Sequence, residues 1–314
     1  MRVLVTGGTG LIGGRLVPAL VRAGYAVEVL SRDPGRARAA LPSGVDASTW
    51  DGRRAPPAAS VSAADAVVHL AGEPVVGRWT AAKRAAIRDS RVAGTRALVD
   101  ALLASDRPPA TLISASAIGV YGDRGDQVLD EEASGGAGFL AEVCAAWERE
   151  ARRAEPVARV ARLRIGLVLD PAGGALGNLL LPFRCGLGGP VGSGGQWWPW
   201  IHADDLVRLI LWSLDTPTLS GALNATAPHP CTQAEFARAL ARVLRRPAWL
   251  RLPGSLVRLG LGGMATELLA SRRVVPARAL AAGFSFHFPR VDDALADLTR
   301  PQPTGGRRGP HVPA

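Results

Sequence analysis

The chain has 314 residues, of which 47% are hydrophobic and 20% are charged, so it can bury a substantial core. Its formal net charge is +10, and almost all of the positive charge comes from arginines, because Lys83 is the only lysine. The arginines are spread through alanine-rich helical segments and do not alternate with aromatic residues. This distribution disfavours a nucleic-acid-binding groove. The apolar runs near the start are short and broken by glycine, so we expect neither a signal segment nor a membrane partner.

The first part of the chain alternates predicted strands with predicted helices. The predicted strands are Arg2–Thr6, Ala26–Leu30, Ala66–Leu70 and Thr111–Ser114. Helices are predicted to end near Arg22 and to cover Pro34–Leu41 and Ala81–Ala104. This alternation predicts a doubly wound parallel sheet with helices on both faces, an α/β fold.

The later part of the chain is less regular. A helix is predicted over Phe139–Arg153 and a further strand over Ala158–Leu163, followed by Gly-rich and Trp-rich loops over Gly173–Trp200. Helices are predicted from near Asp204 and over Ala234–Leu244, and Arg251–Leu298 is predicted to form a small mixed C-terminal cap. We therefore divide the chain into a core at 1–170, substrate-side loops and cap at 171–300 that partly complete the sheet, and a disordered tail at 301–314.

A glycine-rich turn directly follows the first strand and opens the first helix. Without side chains, such a turn lets backbone N–H groups approach a pyrophosphate at the positive end of the helix dipole. In this context the glycines indicate an NAD(P)-binding, Rossmann-type domain, although a tight turn without a ligand is the alternative. The expected contacts are Gly7, Thr9, Gly10, Leu11, Ile12 and Gly13.

The end of the second strand selects the form of the cofactor. An NAD enzyme places Asp or Glu there, against the ribose 2′-hydroxyl. Here Glu28 is too early, inside the strand, and the strand instead delivers Ser31 and Arg32, with Arg36 nearby. Their donors suit a 2′-phosphate and predict NADP(H), although Asp33 could turn to the ribose.

Further motifs resemble those of one family. They are Val67–Gly72, Gly72-Glu73-Pro74, Arg78-Trp79-Thr80, Ser90-Arg91, Ser114–Ala117, Tyr121–Gly125, Phe139–Cys144, Trp147-Glu148, Arg164-Ile165-Gly166, Trp200-Ile201-His202 and Val275–Phe286. On these residues the chain, from 1 to about 298, is similar to the extended short-chain dehydrogenases/reductases, and within them to the atypical SDR39U1-like epimerase family. The resemblance implies the Rossmann fold, the small C-terminal domain and an NAD(P) cofactor. It also implies cofactor contacts at Leu70, Ala71, Gly72, Glu73, Arg91 and Ser114.

The residues that usually catalyse the reaction in that family are mostly missing. Ordinary members use Asn, Ser/Thr, Tyr and Lys, with Lys lowering the pKa of the Tyr that moves a proton. Carried over by resemblance, these positions fall on Arg91, Ser116, Leu140 and Cys144. The only tyrosines are Tyr25 and Tyr121, and neither is followed four residues later by lysine.

Tyr121 is the candidate substitute for the missing acid/base. It leaves the strand that carries Ser116, with Arg91 or Arg124 as the source of positive charge. The alternative interpretation, which we favour, is that Tyr121 packs between the strand and the cap.

Other residues are candidates for substrate contacts. They are Glu142, Trp198 and His202, whereas Glu131 and Glu132 read as loop surface. His69 reads as a core histidine, and no residue pattern predicts a metal site.

These patterns lead to one function and one alternative. The leading prediction is an NADP(H)-dependent oxidoreductase or epimerase-like enzyme for a small polar or nucleotide-linked substrate. The alternative is a non-catalytic NADP(H)-binding or redox-sensing module. The widely spaced Cys144, Cys185 and Cys231 favour reduced thiols and a cytoplasmic location, with an oligomer possible and nucleic acid not expected as a partner.

Overall fold

The computed structural model describes residues 1–300, and the tail expected at 301–314 lies outside the described residues. The strands are β1 (Arg2–Thr6), β2 (Ala26–Ser31), β3 (Asp46–Thr49), β4 (Ala66–His69), β5 (Thr111–Ala117), β6 (Val128–Leu129), β7 (Arg159–Ile165), β8 (Leu167–Leu169), β9 (Trp197–Trp198), β10 (Trp200–His202), β11 (Gly221–Ala225), β12 (Cys231–Thr232) and β13 (Arg273–Val274). The helices are α1 (Gly13–Arg22), α2 (Pro34–Ala40), α3 (Ala58–Ala63), α4 (Ala81–Leu103), α5 (Phe139–Arg152), α6 (Gly174–Arg184), α7 (Ala203–Asp215), α8 (Gln233–Leu244), α9 (Gly254–Leu261), α10 (Met264–Leu269), α11 (Ala277–Ala281) and α12 (Val291–Thr299).

The central sheet has seven parallel strands in the order β11-β7-β5-β4-β1-β2-β3. The chain moves outward from β1 through β2 to β3, then crosses to the other side of β1 and continues through β4, β5, β7 and β11. The strand order therefore reverses between β1 and β4, where open α/β sheets bind their ligands. This arrangement confirms the predicted doubly wound parallel sheet.

Alternation along β1 shows why its sequence is continuously apolar. Val3 and Val5 pack on one face of the sheet, in the same core cluster as Leu16 of α1. Leu4 points to the opposite face of the sheet, where it packs in the same cluster of buried residues as Leu98 of α4. All five side chains are fully buried, as expected for a parallel strand covered by helices on both faces.

A second apolar core lies on the C-terminal side, among α6, α8 and α12. Leu180 of α6, Trp200 of β10 and Phe236 of α8 belong to it. The prediction of continuous loops over Gly173–Trp200 was wrong, because Gly174–Arg184 forms a helix. Leu176, Leu180 and Phe183 form a buried apolar stripe in this core, which outweighs the local glycines.

The C-terminal half also completes the central sheet. After α7, the strand β11 pairs with β7 along Gly221–Ala225 and forms one edge. Among residues 1–300 there are also three two-stranded sheets, β8–β10, β9–β12 and β6–β13, and the last of them joins the cap to the loop that follows β5. Within residues 1–300 we find no helix with both the length and the apolar character needed to cross a membrane.

Candidate functional site

Two loops meet at the carboxyl ends of β1 and β4, at the point where the strand order reverses. Gly7, the first residue after β1, has a φ of +71°. A Cβ atom at Gly7 would lie 2.9 Å from the backbone nitrogen of Ala71, in the loop that follows β4. Only glycine allows this approach, because any side chain would press against backbone atoms. The structure thus brings the two predicted cofactor loops together.

The glycine turn leaves an open cradle at the start of α1. A Cβ atom at Gly13 would lie 2.2 Å from the carbonyl oxygen of Gly7, so the helix starts directly against the turn. Residues 9–11 are exposed, and Ile12 at the N-cap position makes no side-chain hydrogen bond to the helix. The backbone N–H groups of Gly14 and Arg15 are bonded to Gly10 and Ile12. Those of residues 11–13 have no backbone acceptor among residues 1–300, and they lie at the side-chain-poor start of the helix, which fits a pyrophosphate.

Arg32 occupies the end of β2, where the cofactor's adenosine ribose is expected. It is exposed, and its guanidinium has no hydrogen bond or ion pair to any residue among 1–300. The Asp33 carboxylate instead accepts from the backbone N–H of Arg36 at 2.9 Å and caps α2. The hydroxyl of Ser31 accepts from the backbone N–H of Asp33 at 3.2 Å. The Asp33 carboxylate is thus engaged in capping α2, while the neighbouring Arg32 guanidinium is available to bind a ligand.

Glu28 lies inside β2 and serves the structure. Its carboxylate accepts hydrogen bonds from Ser48 at 2.7 Å, Ser60 at 2.5 Å and Arg2 at 2.9 Å. Burial alone would raise the pKa of Glu28, but these hydrogen bonds outweigh it and lower the pKa. The carboxylate therefore has its partners within the fold and is not needed to account for a ribose contact.

His69 ends β4 beneath the crevice and is fully buried. Its Nδ1 lies 2.7 Å from the hydroxyl of Thr6, and its Nε2 lies 2.9 Å from the hydroxyl of Thr95. The Thr6 oxygen also accepts from the backbone N–H of Ala71 at 3.1 Å, so His69 helps to hold the bend after β4. Both ring nitrogens are occupied, which supports its interpretation as a core histidine.

The burial of His69 predicts a pH-dependent stability. Burial lowers its pKa from 6.5 to about 4, so the folded state binds the proton less readily than the unfolded state. The free energy of unfolding should therefore decrease as the pH falls from 6.5 towards 4, by about 3 kcal/mol from this group. Urea denaturation of the wild type and His69→Gln at several pH values in this range measures the difference.

A matched substitution at the exposed His229 provides the control for this prediction. His229→Gln should show the same pH dependence as the wild type. A His69→Gln curve that runs parallel to the wild-type curve would contradict the assignment.

The two serine hydroxyl groups on β5 are buried and already bonded. The Ser114 hydroxyl lies 3.2 Å from the carbonyl oxygen of Ala115. The Ser116 hydroxyl donates to the Glu148 carboxylate of α5 at 2.8 Å, and Ser116 is 3% exposed. This arrangement ties Ser116, the serine expected at the family's Ser/Thr position, to a carboxylate within the fold.

Tyr121 is fully buried at the end of the short 3-10 helix Ile118–Tyr121. Its hydroxyl accepts from Arg164 at 2.8 Å and lies 2.7 Å from the side-chain oxygen of Asn224 and 2.9 Å from the carbonyl oxygen of Asp130. Burial raises the pKa of the hydroxyl, and Arg164 only partly opposes this. The placement supports the packing interpretation, because no face of the phenol is open to a substrate.

Sequence reasoning did not assign a role to the charged network around Tyr121. Arg164 binds Glu148 through two parallel hydrogen bonds, 2.8 and 3.1 Å long, and Arg162 approaches the same carboxylate at 3.3 Å. Burial alone would lower the pKa of Arg164, but the bonds and charge of Glu148 reverse this and raise it. Arg164 and Glu148 both belong to motifs on which the family resemblance rests, and this was the sequence signal that could have pointed to the network.

Glu131 belongs to the same buried region, so its interpretation as loop surface was wrong. It is 6% exposed, and its carboxylate accepts from the backbone N–H groups of Asn224 at 2.9 Å and Arg278 at 3.2 Å. Glu132 is exposed, as expected.

Leu140 and Cys144, to which the resemblance carries the family's Tyr and Lys positions, lie one turn apart on α5. A Cβ atom at Gly119 would lie 3.2 Å from Leu140 Cβ and 3.6 Å from Cys144 Sγ. Burial raises the pKa of the Cys144 thiol to about 12, so the thiol stays neutral. Neither residue can replace the usual proton relay.

The three candidate substrate residues have different positions. Glu142 is exposed in the first turn of α5. Trp198 is 7% exposed and packs against Phe236, with ring centroids 5.5 Å apart. His202 is 1% exposed, stacks on Phe288 at 3.9 Å and caps α7 through its Nδ1. Only Glu142 keeps a surface for a ligand, while Trp198 and His202 stabilise the second core.

An ion-pair cluster links the glycine cradle to the C-terminal half. Arg15, in the first turn of α1, makes two hydrogen bonds to Asp170, after β8, one through Nε and one of 2.9 Å through Nη2. It also binds Asp204 in the first turn of α7 at 3.1 Å. Asp170 is 1% exposed. The first helix is thus held against the segments that lead into the substrate side.

Comparisons with known proteins place the chain in a family whose name refers to NAD. A family model described as the NAD dependent epimerase/dehydratase family matches residues 3–154, and a domain of unknown function, DUF1731, matches residues 252–298. The chain is 40% identical over 304 residues to the chloroplastic SDR39U1 homolog of Arabidopsis thaliana, covering 94% of this chain and 86% of that protein. It is 37% identical over 303 residues to the SDR39U1 epimerase family protein of Homo sapiens, covering 95% and 99%.

Solved structures give the same result. The human SDR39U1 structure with NADPH superimposes with a TM-score of 0.87 at 36% identity, covering 95% of this chain and 99% of that one. The UDP-glucuronic acid 4-epimerase of Bacillus cereus, solved with UDP-glucuronic acid and NAD, matches with a TM-score of 0.77 at 18% identity and covers 95% and 98%. The second likeness concerns the fold alone.

Proposed function

Because the chain belongs to the SDR39U1 epimerase family, we propose that it is an NADP(H)-dependent oxidoreductase or epimerase-like enzyme for a small polar or nucleotide-linked substrate. The observation that carries the proposal is the cradle formed by Gly7 and Gly13 against Ala71, with the unpaired Arg32 beyond it. A relative whose structure contains NADPH, and which covers 95% of this chain, supports the choice of cofactor. When bound, the nicotinamide would donate or accept a hydride.

Each end of the crevice has a proposed role in holding the cofactor. Residues 7–13 contact the pyrophosphate through backbone N–H groups. Ser31 and Arg32 hold the 2′-phosphate, and residues 70–73 with Arg91 and Ser114 line the nicotinamide side. The protein provides orientation and exclusion of water in this scheme.

The cofactor assignment predicts a specific loss in Arg32→Ala. Removing a guanidinium that binds a phosphate should weaken NADPH binding roughly 10- to 100-fold, because charged hydrogen bonds contribute about 1.5–3 kcal/mol. NADH binding should change little, so the two affinities should converge. Calorimetric titration of both proteins with NADPH and NADH measures this.

The control is Arg22→Ala. Arg22 lies at the end of α1 that is remote from the glycine turn, so this substitution should leave both affinities unchanged. Equal wild-type binding of NADPH and NADH, unaffected by Arg32→Ala, would overturn the choice of NADP(H). Failure of both cofactors to bind would overturn the proposed function.

A second candidate is a non-catalytic NADP(H)-binding or redox-sensing module. The observation in its favour is that the hydroxyl groups of Ser116 and Tyr121 are bonded within the fold. The expected absence of the proton relay, with Leu140 and Cys144 at its positions, is consistent with this candidate. NADPH oxidation in the presence of a panel of carbonyl compounds separates the two functions. Turnover with any compound supports the enzyme, whereas tight NADPH binding without turnover across the panel supports the module.

The setting of the protein is part of the same proposal. Cys144, Cys185 and Cys231 are all free thiols, which suits a reducing, cytoplasm-like compartment. The partner is a small molecule rather than nucleic acid or a membrane, and self-association is compatible with the fold.

A further inference from the structure

Arg91 is a guanidinium without an anionic partner, at the nicotinamide side of the crevice. It projects from α4, and its Nη1 donates to the carbonyl oxygens of Glu73 at 2.9 Å and Ile87 at 3.2 Å. No ion pair joins it to any residue among 1–300, and its Nε and Nη2 groups donate to none of them. One edge of the planar fork is therefore unused.

The surroundings of Arg91 hold the guanidinium in place. A Cβ atom at Gly72 would lie 3.3 Å from its Cζ, so the group rests against the bend after β4. Its Cζ lies 5.2 Å from the centre of the Trp147 ring on α5. A planar cation fixed between a glycine and an aromatic ring has lost much of its freedom before any ligand arrives, which favours binding.

The nearby acidic groups do not neutralise Arg91. The Glu73 carboxylate binds Lys83 at 2.6 Å. The Cys144 thiol is neutral because burial raises its pKa to about 12. For the Arg91 guanidinium, burial lowers the pKa, because it disfavours the charged form, and the nearby Cys144 and Glu73 oppose this lowering only in part. A partly desolvated cation without a counter-ion is unfavourable, and an anionic ligand would relieve this cost.

We propose that the free edge of Arg91 binds an anionic oxygen group, a carboxylate or a phosphate, of the substrate. The inference rests on the proposed function in that it takes the crevice beside Gly72 as the place where the substrate meets the cofactor. It narrows the substrate class to anionic compounds. It also gives the residue at the family's Asn position a binding role different from proton transfer.

The test is calorimetric titration of the whole protein with inorganic phosphate and with oxalate at constant ionic strength. Each titration is made with and without saturating NADPH, on the wild type, Arg91→Gln and Arg91→Lys. Arg88→Gln is the matched control, since Arg88 is exposed on the same helix and pairs with its neighbour Asp89 at 2.9 Å. A thermal melt of each variant verifies that it is folded.

We expect at least one probe to bind the wild type, to bind Arg91→Gln at least tenfold more weakly, and to bind Arg88→Gln as it binds the wild type. Arg91→Lys should recover part of the loss, because it keeps the charge without the fork. A preference for phosphate favours a phosphate ester over a carboxylic acid as the substrate class, and a preference for oxalate favours the reverse.

Three results would overturn the inference. These are equal anion affinity in the wild type and Arg91→Gln, no anion binding by the wild type, and a loss of NADPH affinity in Arg91→Gln as large as the loss of anion affinity. The last, measured by titrating both proteins with NADPH, would mean that Arg91 serves only the cofactor that it lines and does not bind a substrate anion. Because the anions are also titrated without NADPH, a failure of the NADP(H) proposal is distinguishable from a failure at Arg91.

Discussion

Gly13→Ala should lose NADPH binding by at least about 100-fold and lower the free energy of unfolding by about 3 kcal/mol. The added methyl carbon would lie 2.2 Å from the Gly7 carbonyl oxygen and 2.6 Å from Gly8 Cα. Both neighbours are backbone atoms of the cradle, so the turn itself must move. Titration with NADPH and urea denaturation measure the two effects.

The next residue along the chain supplies a matched control. Gly14 is exposed, and a Cβ atom there would have no atom within 4 Å. Gly14→Ala should leave NADPH affinity unchanged and stabilise the fold by about 0.5–1 kcal/mol through its effect on helix formation. If Gly13→Ala bound NADPH as well as Gly14→Ala, the cradle would not be the cofactor site.

Glu148→Gln should destabilise the protein by about 3–5 kcal/mol, because it leaves buried guanidinium groups without their carboxylate. Arg164 and Arg162 both bind Glu148, and their side chains are only 11% and 12% exposed. The Ser116 hydroxyl loses its charged acceptor as well. Chemical denaturation monitored by circular dichroism gives the change in the free energy of unfolding.

Glu150→Gln tests whether this cost is specific to the buried network. Glu150 lies two residues along the same helix and pairs with Arg96 and Arg153, whose side chains are 56% and 42% exposed. Exposed partners regain water when the pair is lost, so we expect a cost of about 1 kcal/mol or less. Similar losses for Glu148→Gln and Glu150→Gln would show that the network is not a major source of stability.

The elements that the sequence predicted well are those with strong local signals. The β1–glycine turn–α1–β2 unit combines a buried strand, a turn that only glycine can form and an amphipathic helix, and it was predicted to within a residue or two. In contrast, β11 has the sequence Gly-Ala-Leu-Asn-Ala, which lacks β-branched residues. It is a strand because β7 pairs with it, and such pairing cannot be read from a local pattern.

In the candidate site, too, local motifs could be predicted from the sequence, whereas contacts between distant residues could not. The candidate cofactor loops after β1 and β4 could be located because each directly follows a buried strand, and the structure brings these two loops together. The environment of Tyr121 could not, because its partner Asn224 is 103 positions away and only the fold brings them together. Trp198 was a substrate candidate because an aromatic loop can stack on a ligand, and His202 because its position resembles the helix start beneath the substrate pocket of related enzymes. Both side chains are instead buried in the fold.

The position of β11 means that residues 1–170 are not a self-sufficient unit. Without residues 221–225, β7 would become an edge strand with a row of unpaired backbone N–H and C=O groups, a template for aggregation. The apolar face that α7 covers, where Leu206 and Ile210 join the same core cluster as Leu16, would also be exposed to water. The two halves of the chain should therefore fold and unfold together, and the cofactor crevice would depend on a strand synthesised long after it.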